Sequence, residues 1–223
     1  CACLVGSEMC IRDSCGTDGG DTEASRDLFA MDTYMTVTAY GKGATEAVDQ
    51  AADEISRLDQ LLSTGNEDSE IYKINQSGDG ILSEETAYLV ERSLDLYEAT
   101  DGAFDIAIYP VMKAWGFTDD NFRVPGADEL KDLLTLTDAS DISYDKETSQ
   151  IAFKKDGMQI DFGGIAKGYT SARIMDIFRA CGIKSGLVNL GGNVQALGTK
   201  KDGSSWRCLL YTSPSPRDMR RSR

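Results

Sequence analysis

Three things are scarce in this chain. No run of about 18 apolar residues occurs, so no segment reads as a membrane-spanning helix. Basic residues are outnumbered, with 23 Lys and Arg against 37 Asp and Glu and a net charge of −14. That balance argues against nucleic-acid binding and for a charged, well-solvated surface. Cysteine is scarcer than its count of six suggests, because Cys1, Cys3, Cys10 and Cys208 fall in end segments that do not read as natural protein. The remaining Cys15 and Cys181 do not make a disulfide framework.

The end segments are CLVGSEMCIRDS at residues 3–14 and CLLYTSPSPRD at residues 208–218. They resemble the translation of transposase-adapter DNA, read from opposite strands of one segment. Residues 1–14 and 208–223 are therefore set aside as adapter-derived. Their removal leaves the remainder more acidic still. Residues 15–207 can bury one substantial core, so a single domain is expected.

Residues 15–27 (CGTDGGDTEASRD) are small, polar and acidic, and are expected to form a flexible leader. Residues 29–39 carry the β-branched and aromatic content of a strand. Ala47, Val48, Ala51, Ile55, Leu58, Leu61 and Leu62 form a helical stripe over residues 45–62. A short helix or turn is expected at 69–75. Ser83 is placed to cap a second long helix, with Leu89, Val90, Leu94 and Tyr97 inward. Residues 100–117, rich in glycine and aromatics, read as a loop, and 128–134 as a short helix. Residues 142–144 and 150–153 read as a hairpin, and 158–161 as a further strand. A helix is expected over 164–181 and a strand over 185–190, closed by Gly191-Gly192-Asn193. Residues 194–197 and those from Trp206 onward suggest another hairpin. Strands and helices mix without strict alternation, so the expected class is α+β, with largely antiparallel sheets flanked by helices.

The densest chemistry lies in Asp161-Phe162-Gly163-Gly164-Ile165-Ala166-Lys167-Gly168-Tyr169-Thr170. An acid, two glycines and a lysine sit at the start of a helix. Glycines let a backbone approach a ligand, free N–H groups at a helix start face an anion, and lysine adds charge. The segment is neither a P-loop nor a Gly-x-Gly-x-x-Gly fingerprint. On local chemistry it is either a phosphate-handling turn or a glycine turn that packs a helix on a sheet.

Read in order, Met31-Asp32-Thr33, STGNEDSEIYKIN (63–75), GAFD (102–105), PVMKAWGF (110–117), residues 161–169 and LVNLGGNV (187–194) resemble the ApbE family, the FAD:protein FMN transferases. The resemblance covers residues 28–207, and its texture is similar to the clostridial branch. It implies an ApbE/T-fold-like domain. The implied enzyme binds FAD with magnesium, transfers FMN to a threonine hydroxyl of an acceptor protein and releases AMP. Two alternatives are an FAD pyrophosphatase giving FMN and AMP, and a non-catalytic flavin- or solute-binding lipoprotein.

The resemblance also implies roles by residue. Met31, Ala103, Phe104, Asp105, Asp161 and Lys167 are expected at the cofactor, and the Gly164 carbonyl at the metal. For Met31 and Phe104 the alternative is core filling, for Asp161 a cap on the glycine turn, and for Lys167 a solvated helix position. Catalytic residues, with further strands and an acid/threonine metal segment, are expected beyond Arg207; the absence of histidine fits this, and the chain by itself is expected to be inactive. Cys15, heading a polar leader, implies a lipid anchor on the extracytoplasmic face of the membrane. The implied acceptor is a flavoprotein subunit of a membrane redox complex. Two positions depart from the family pattern. Gly65 stands where many relatives carry a tyrosine that contacts FAD, and Ala172 stands where many carry an acid.

Overall fold

The computed structural model describes residues 23–118 and 121–207. The adapter-like ends, Cys15 and the leader up to residue 22 lie outside the described residues.

The strand expected over 29–39 is a hairpin. β1 (Glu23–Ala30) pairs antiparallel with β2 (Thr33–Tyr40), from Glu23 opposite Tyr40 to Ala30 opposite Thr33. Met31 and Asp32 form its two-residue turn with φ of 48° and 56°. Such a turn needs positive φ at both central residues and usually carries Asn-Gly. Neither Asn nor Gly stands at these two positions, so no turn signal was legible there. Residues 23–27, expected in the flexible leader, are strand residues in β1.

The helical stripe forms α1 (Ala44–Leu62), with Ala47, Val48, Ala51, Ile55, Leu58 and Leu62 buried. α2 (Glu70–Ser77) is capped by Ser69, whose hydroxyl accepts the Tyr72 N–H at 2.9 Å. β3 (Asp79–Ile81) and α3 (Glu84–Ala99) follow. Ser83 precedes α3 but makes no side-chain cap; its hydroxyl instead donates to the Glu70 carboxylate at 2.7 Å and ties α2 to α3.

The loop expected over 100–117 contains a 3-10 turn (Ile106–Ile108) and α4 (Tyr109–Trp115). Pro110 stands in the first turn of α4, where its missing N–H costs nothing. α5 (Ala127–Leu134) is followed by the expected hairpin of β4 (Ile142–Asp145) and β5 (Gln150–Phe153). The strand expected over 158–161 does not form. There, the Asn75 side chain takes the place of a neighbouring strand. Its Nδ2 donates to the Ile160 carbonyl at 2.8 Å, and its Oδ1 accepts the Ile160 N–H at 2.7 Å.

α6 (Ala166–Ala180), β6 (Ser185–Leu190) and β7 (Asn193–Leu197) complete the described elements. β7 pairs with β6 and not with the segment at Trp206, whose ring lies 6.3 Å from that of Tyr40. One sheet has the order β1-β2-β6-β7 and the other β3-β5-β4; every pairing is antiparallel, as the α+β reading expects. α1 and α6 pack on the four-stranded sheet around Met35, Val37, Ile174 and Phe178. A second core gathers Ile71, Leu89, Ile106, Ile151, Ile160 and Phe162. Met31 packs against both cores, so the hairpin turn stands where they meet.

Candidate active site

That junction holds a cavity of about 330 Å³. The first hairpin presents Phe29, Met31 and Asp32 to it, and the end of α1 presents Asp59, Ser63, Thr64 and Gly65. The 161–167 turn adds Asp161, Gly163 and Lys167, and Met112 and Phe117 close the fourth side. The volume sits at the small end of the range for small-molecule sites, enough for one ring system with its linkage.

Each wall is fixed by local bonds. The strained tip of the hairpin is held by the Met31 N–H, which donates to Asp59 Oδ1 of α1 at 2.9 Å. Non-glycine residues persist at positive φ only where their surroundings impose it, and such residues collect at functional sites. The Gly191-Gly192 turn between β6 and β7 packs beside this hairpin. The Gly191 N–H donates to the Tyr34 carbonyl, and a Cβ at Gly191 would lie 2.5 Å from Thr33 Oγ1. Asn193, just beyond, donates to Ser171 Oγ of α6 at 2.9 Å. Residues 63–69 fold on themselves: Ser63 Oγ accepts the N–H groups of Gly65 and Asn66, and Ser69 Oγ donates to the Ser63 carbonyl.

In the 161–167 turn, Asp161 Oδ1 accepts the Gly163 N–H at 2.7 Å. Burial pushes the Asp161 carboxyl above its ordinary value, and the negative charge of Asp32 adds to this; the Gly163 N–H and Lys167 pull the other way. The turn therefore combines a carboxyl that resists ionisation, an exposed glycine pair and one ammonium. That arrangement suits an anionic, hydrogen-bonding ligand.

The structure brings Met31, Asp161 and Lys167 together on the cavity wall. Ala103, Phe104 and Asp105 stand outside its lining. Phe104 lies against the turn instead: a Cβ at Gly164 would come within 2.9 Å of Phe104 Cε2, so the ring packs where a side chain at this position would not fit. Asp105 accepts N–H groups from Ala107 at 2.7 Å and Ala139 at 3.1 Å, and joins two 3-10 turns. Burial raises its pKa while those two bonds oppose the rise. Gly164 is exposed beside the cavity, and Ala172 is exposed on α6.

Asp32 and Phe117 stand in segments that carry the family resemblance but were given no role there, and Asp59 and Phe29 were not singled out from the sequence. Asp59 carried a signal, since it falls between the buried Leu58 and Leu62 at the edge of the α1 apolar face. Asp32 and Phe29 depended on the unrecognised hairpin.

The family model described as the ApbE family matches residues 31–218. The chain belongs to the ApbE family. Among curated ApbE relatives, the FAD:protein FMN transferase of Treponema pallidum (strain Nichols) is 32% identical over 211 residues, covering 88% of this chain and 58% of the relative. The protein of the same name from Klebsiella pneumoniae (strain 342) is 31% identical over 147 residues, covering 65% and 46%. Of solved ApbE structures, the Thermotoga maritima protein superposes with a TM-score of 0.77 at 28% identity, covering 82% of this chain and 61% of that one. The apo flavinyl transferase ApbE of Pseudomonas stutzeri gives 0.75 at 29%, covering 84% and 63%. The chain spans about half the length of the curated ApbE relatives it matches.

Proposed function

We propose that this protein is an FAD:protein FMN transferase and that the junction cavity is part of its FAD site. The observation that carries the reading is the meeting of Met31, Asp161 and Lys167 on one cavity in a chain of this family. In the reaction, a threonine hydroxyl oxygen of the acceptor bonds to the FMN phosphorus. The bond from that phosphorus to the bridging oxygen breaks, AMP leaves with the oxygen, and the hydroxyl proton is released. Such a transfer depends on positioning and charge neutralisation more than on covalent help from the protein.

The residues fit the donor. Met31, Leu62 and Met112 offer apolar, polarisable surface to a flat ring. Lys167 supplies positive charge to the pyrophosphate, and Asp161 fixes the glycine turn through Gly163. Among the described residues, no group of three or more His, Cys, Asp or Glu is placed to hold a metal. The oxygen donor at the turn, the Gly164 carbonyl, matches magnesium in kind, and this ion commonly completes its shell with phosphate oxygens and water. When bound, it neutralises charge on the phosphates. In the same reading, Cys15 carries a lipid anchor that holds the domain at the extracytoplasmic face of a membrane. The acceptor is then a flavoprotein subunit of a membrane redox complex.

The test is incubation of the full-length protein with FAD, magnesium and a threonine-containing acceptor peptide, followed by mass spectrometry. The expected product is a peptide heavier by one FMN less a water, with an equal amount of AMP. Free FMN and AMP with unmodified peptide would instead mark a pyrophosphatase, and intact FAD a binding protein.

A further inference from the structure

The mouth of the cavity is bordered by aromatic rings that the fold leaves in solvent. Phe117 is 56% exposed and lines the cavity. It is backed by Trp115, with ring planes within 6° of parallel and centroids 6.3 Å apart, and by the edge-on ring of Phe122 at 6.0 Å. From the first hairpin comes Phe29, 61% exposed and paired edge-on with Tyr34 at 5.2 Å. Two separate elements thus hold oriented, exposed aromatics at one opening. The same cavity is lined by Gly65, and a Cβ there would meet nothing within 4 Å. Exposed apolar clusters of this kind mark binding surfaces, and aromatic rings bind best to other flat rings.

We propose that Phe117 is the stacking platform for the isoalloxazine ring of the flavin, with Phe29 across the mouth and the open face of Gly65 leaving room for the ring. This assignment rests on the flavin reading of the cavity. It also orients the ligand: the ring lies at the aromatic mouth and the phosphates at Lys167. The tricyclic flavin suits this end better than adenine does. Its dimethylbenzene edge matches the apolar surface of Met112 and Leu62, and its pyrimidine edge can meet the hydroxyls of Ser63, Thr64 and Thr118. Adenine would leave much of that apolar surface uncovered.

The experiment measures binding without turnover. FMN is titrated against the protein by flavin fluorescence anisotropy, and ADP by calorimetry. Phe117→Ala is expected to weaken FMN on the order of tenfold, the usual effect of removing one stacking ring, and to leave ADP affinity unchanged. Phe117→Trp is expected to retain FMN affinity. Because Phe117 is more than half exposed, the alanine variant should melt with the parent protein. Should it fail to fold, Phe117→Leu keeps apolar volume without the ring and is expected to lose FMN in the same way. Unchanged FMN affinity in the alanine or leucine variant, or a loss confined to ADP, overturns the assignment while leaving the flavin reading standing. A parent protein that binds neither ligand sinks both.

Discussion

Among the described residues no strand lies beside Ile160, and Asn75 serves its backbone instead. Both partners are buried, so truncating the amide leaves an N–H and a carbonyl of Ile160 without water or partner. Each such group costs about 1–3 kcal/mol. Asn75→Ala is expected to lower stability by about 2–4 kcal/mol in urea titrations. Asp161 behaves in the opposite sense. Burial and the nearby Asp32 raise its pKa, so the folded protein holds this proton more firmly than the unfolded chain does. Stability attributable to this group is then lost as pH rises from the ordinary carboxylate range through the folded value, and the deficit remains at neutral pH. Asp161→Asn keeps an oxygen for the Gly163 N–H and removes the charge. Its urea midpoint should exceed the parent's at pH 7, with the gap closing below about pH 4; a lower midpoint at pH 7 would contradict the assignment of burial as the cause.

At the scale of elements, the first hairpin carries its strain in two side-chain-bearing residues. Replacing Asp32 by glycine relieves one left-handed position and adds unfolded-state entropy, for a net stabilisation of about 0.5–1 kcal/mol. Thermal melts should show a rise of about 2–4 °C per kcal/mol for a chain of this size. Elements with a period were legible in the sequence. The Ala47–Leu62 stripe, the short helix beginning after Ser69 and the paired segments around residues 145–149 appear in the structure close to where periodicity and turn chemistry place them, whereas the cap expected from Ser83 does not form. Elements that break local rules were hidden. The hairpin turns on Met31-Asp32, not on Asn-Gly. α4 has a proline in its first turn and lies within a stretch that looks like loop. The segment around Ile160 has strand-like residues but gains its hydrogen bonds from a side chain 85 positions away. The same limit applies to the cavity: the glycine turn announced itself, whereas Phe117 acquires meaning only when Phe29 and Gly65 face the same opening.

For the whole molecule, charge and topology decide more than any single contact. A net charge of −14 repels itself, and most ion pairs are on the surface and contribute little each. The more organised group is Arg57, which contacts Glu54 and Glu85, with Arg173 also on Glu54, so that α1, α3 and α6 are linked. Moving from low salt to about 0.15 M screens the long-range repulsion more than these close contacts. The melting temperature is therefore expected to rise with added sodium chloride, and a fall would mean that the ion pairs dominate. The order of the four-stranded sheet also sets a timetable. β2 ends at Tyr40, yet its second neighbour, β6, starts only at Ser185. At ordinary ribosome speeds the hairpin waits roughly ten to thirty seconds for that neighbour to be synthesised. During this interval the apolar face of β2, with Met35, Val37 and Ala39, has only α1 to cover it. The nascent chain is then a ready client for chaperones, and the two sides of the junction cavity first meet late in synthesis.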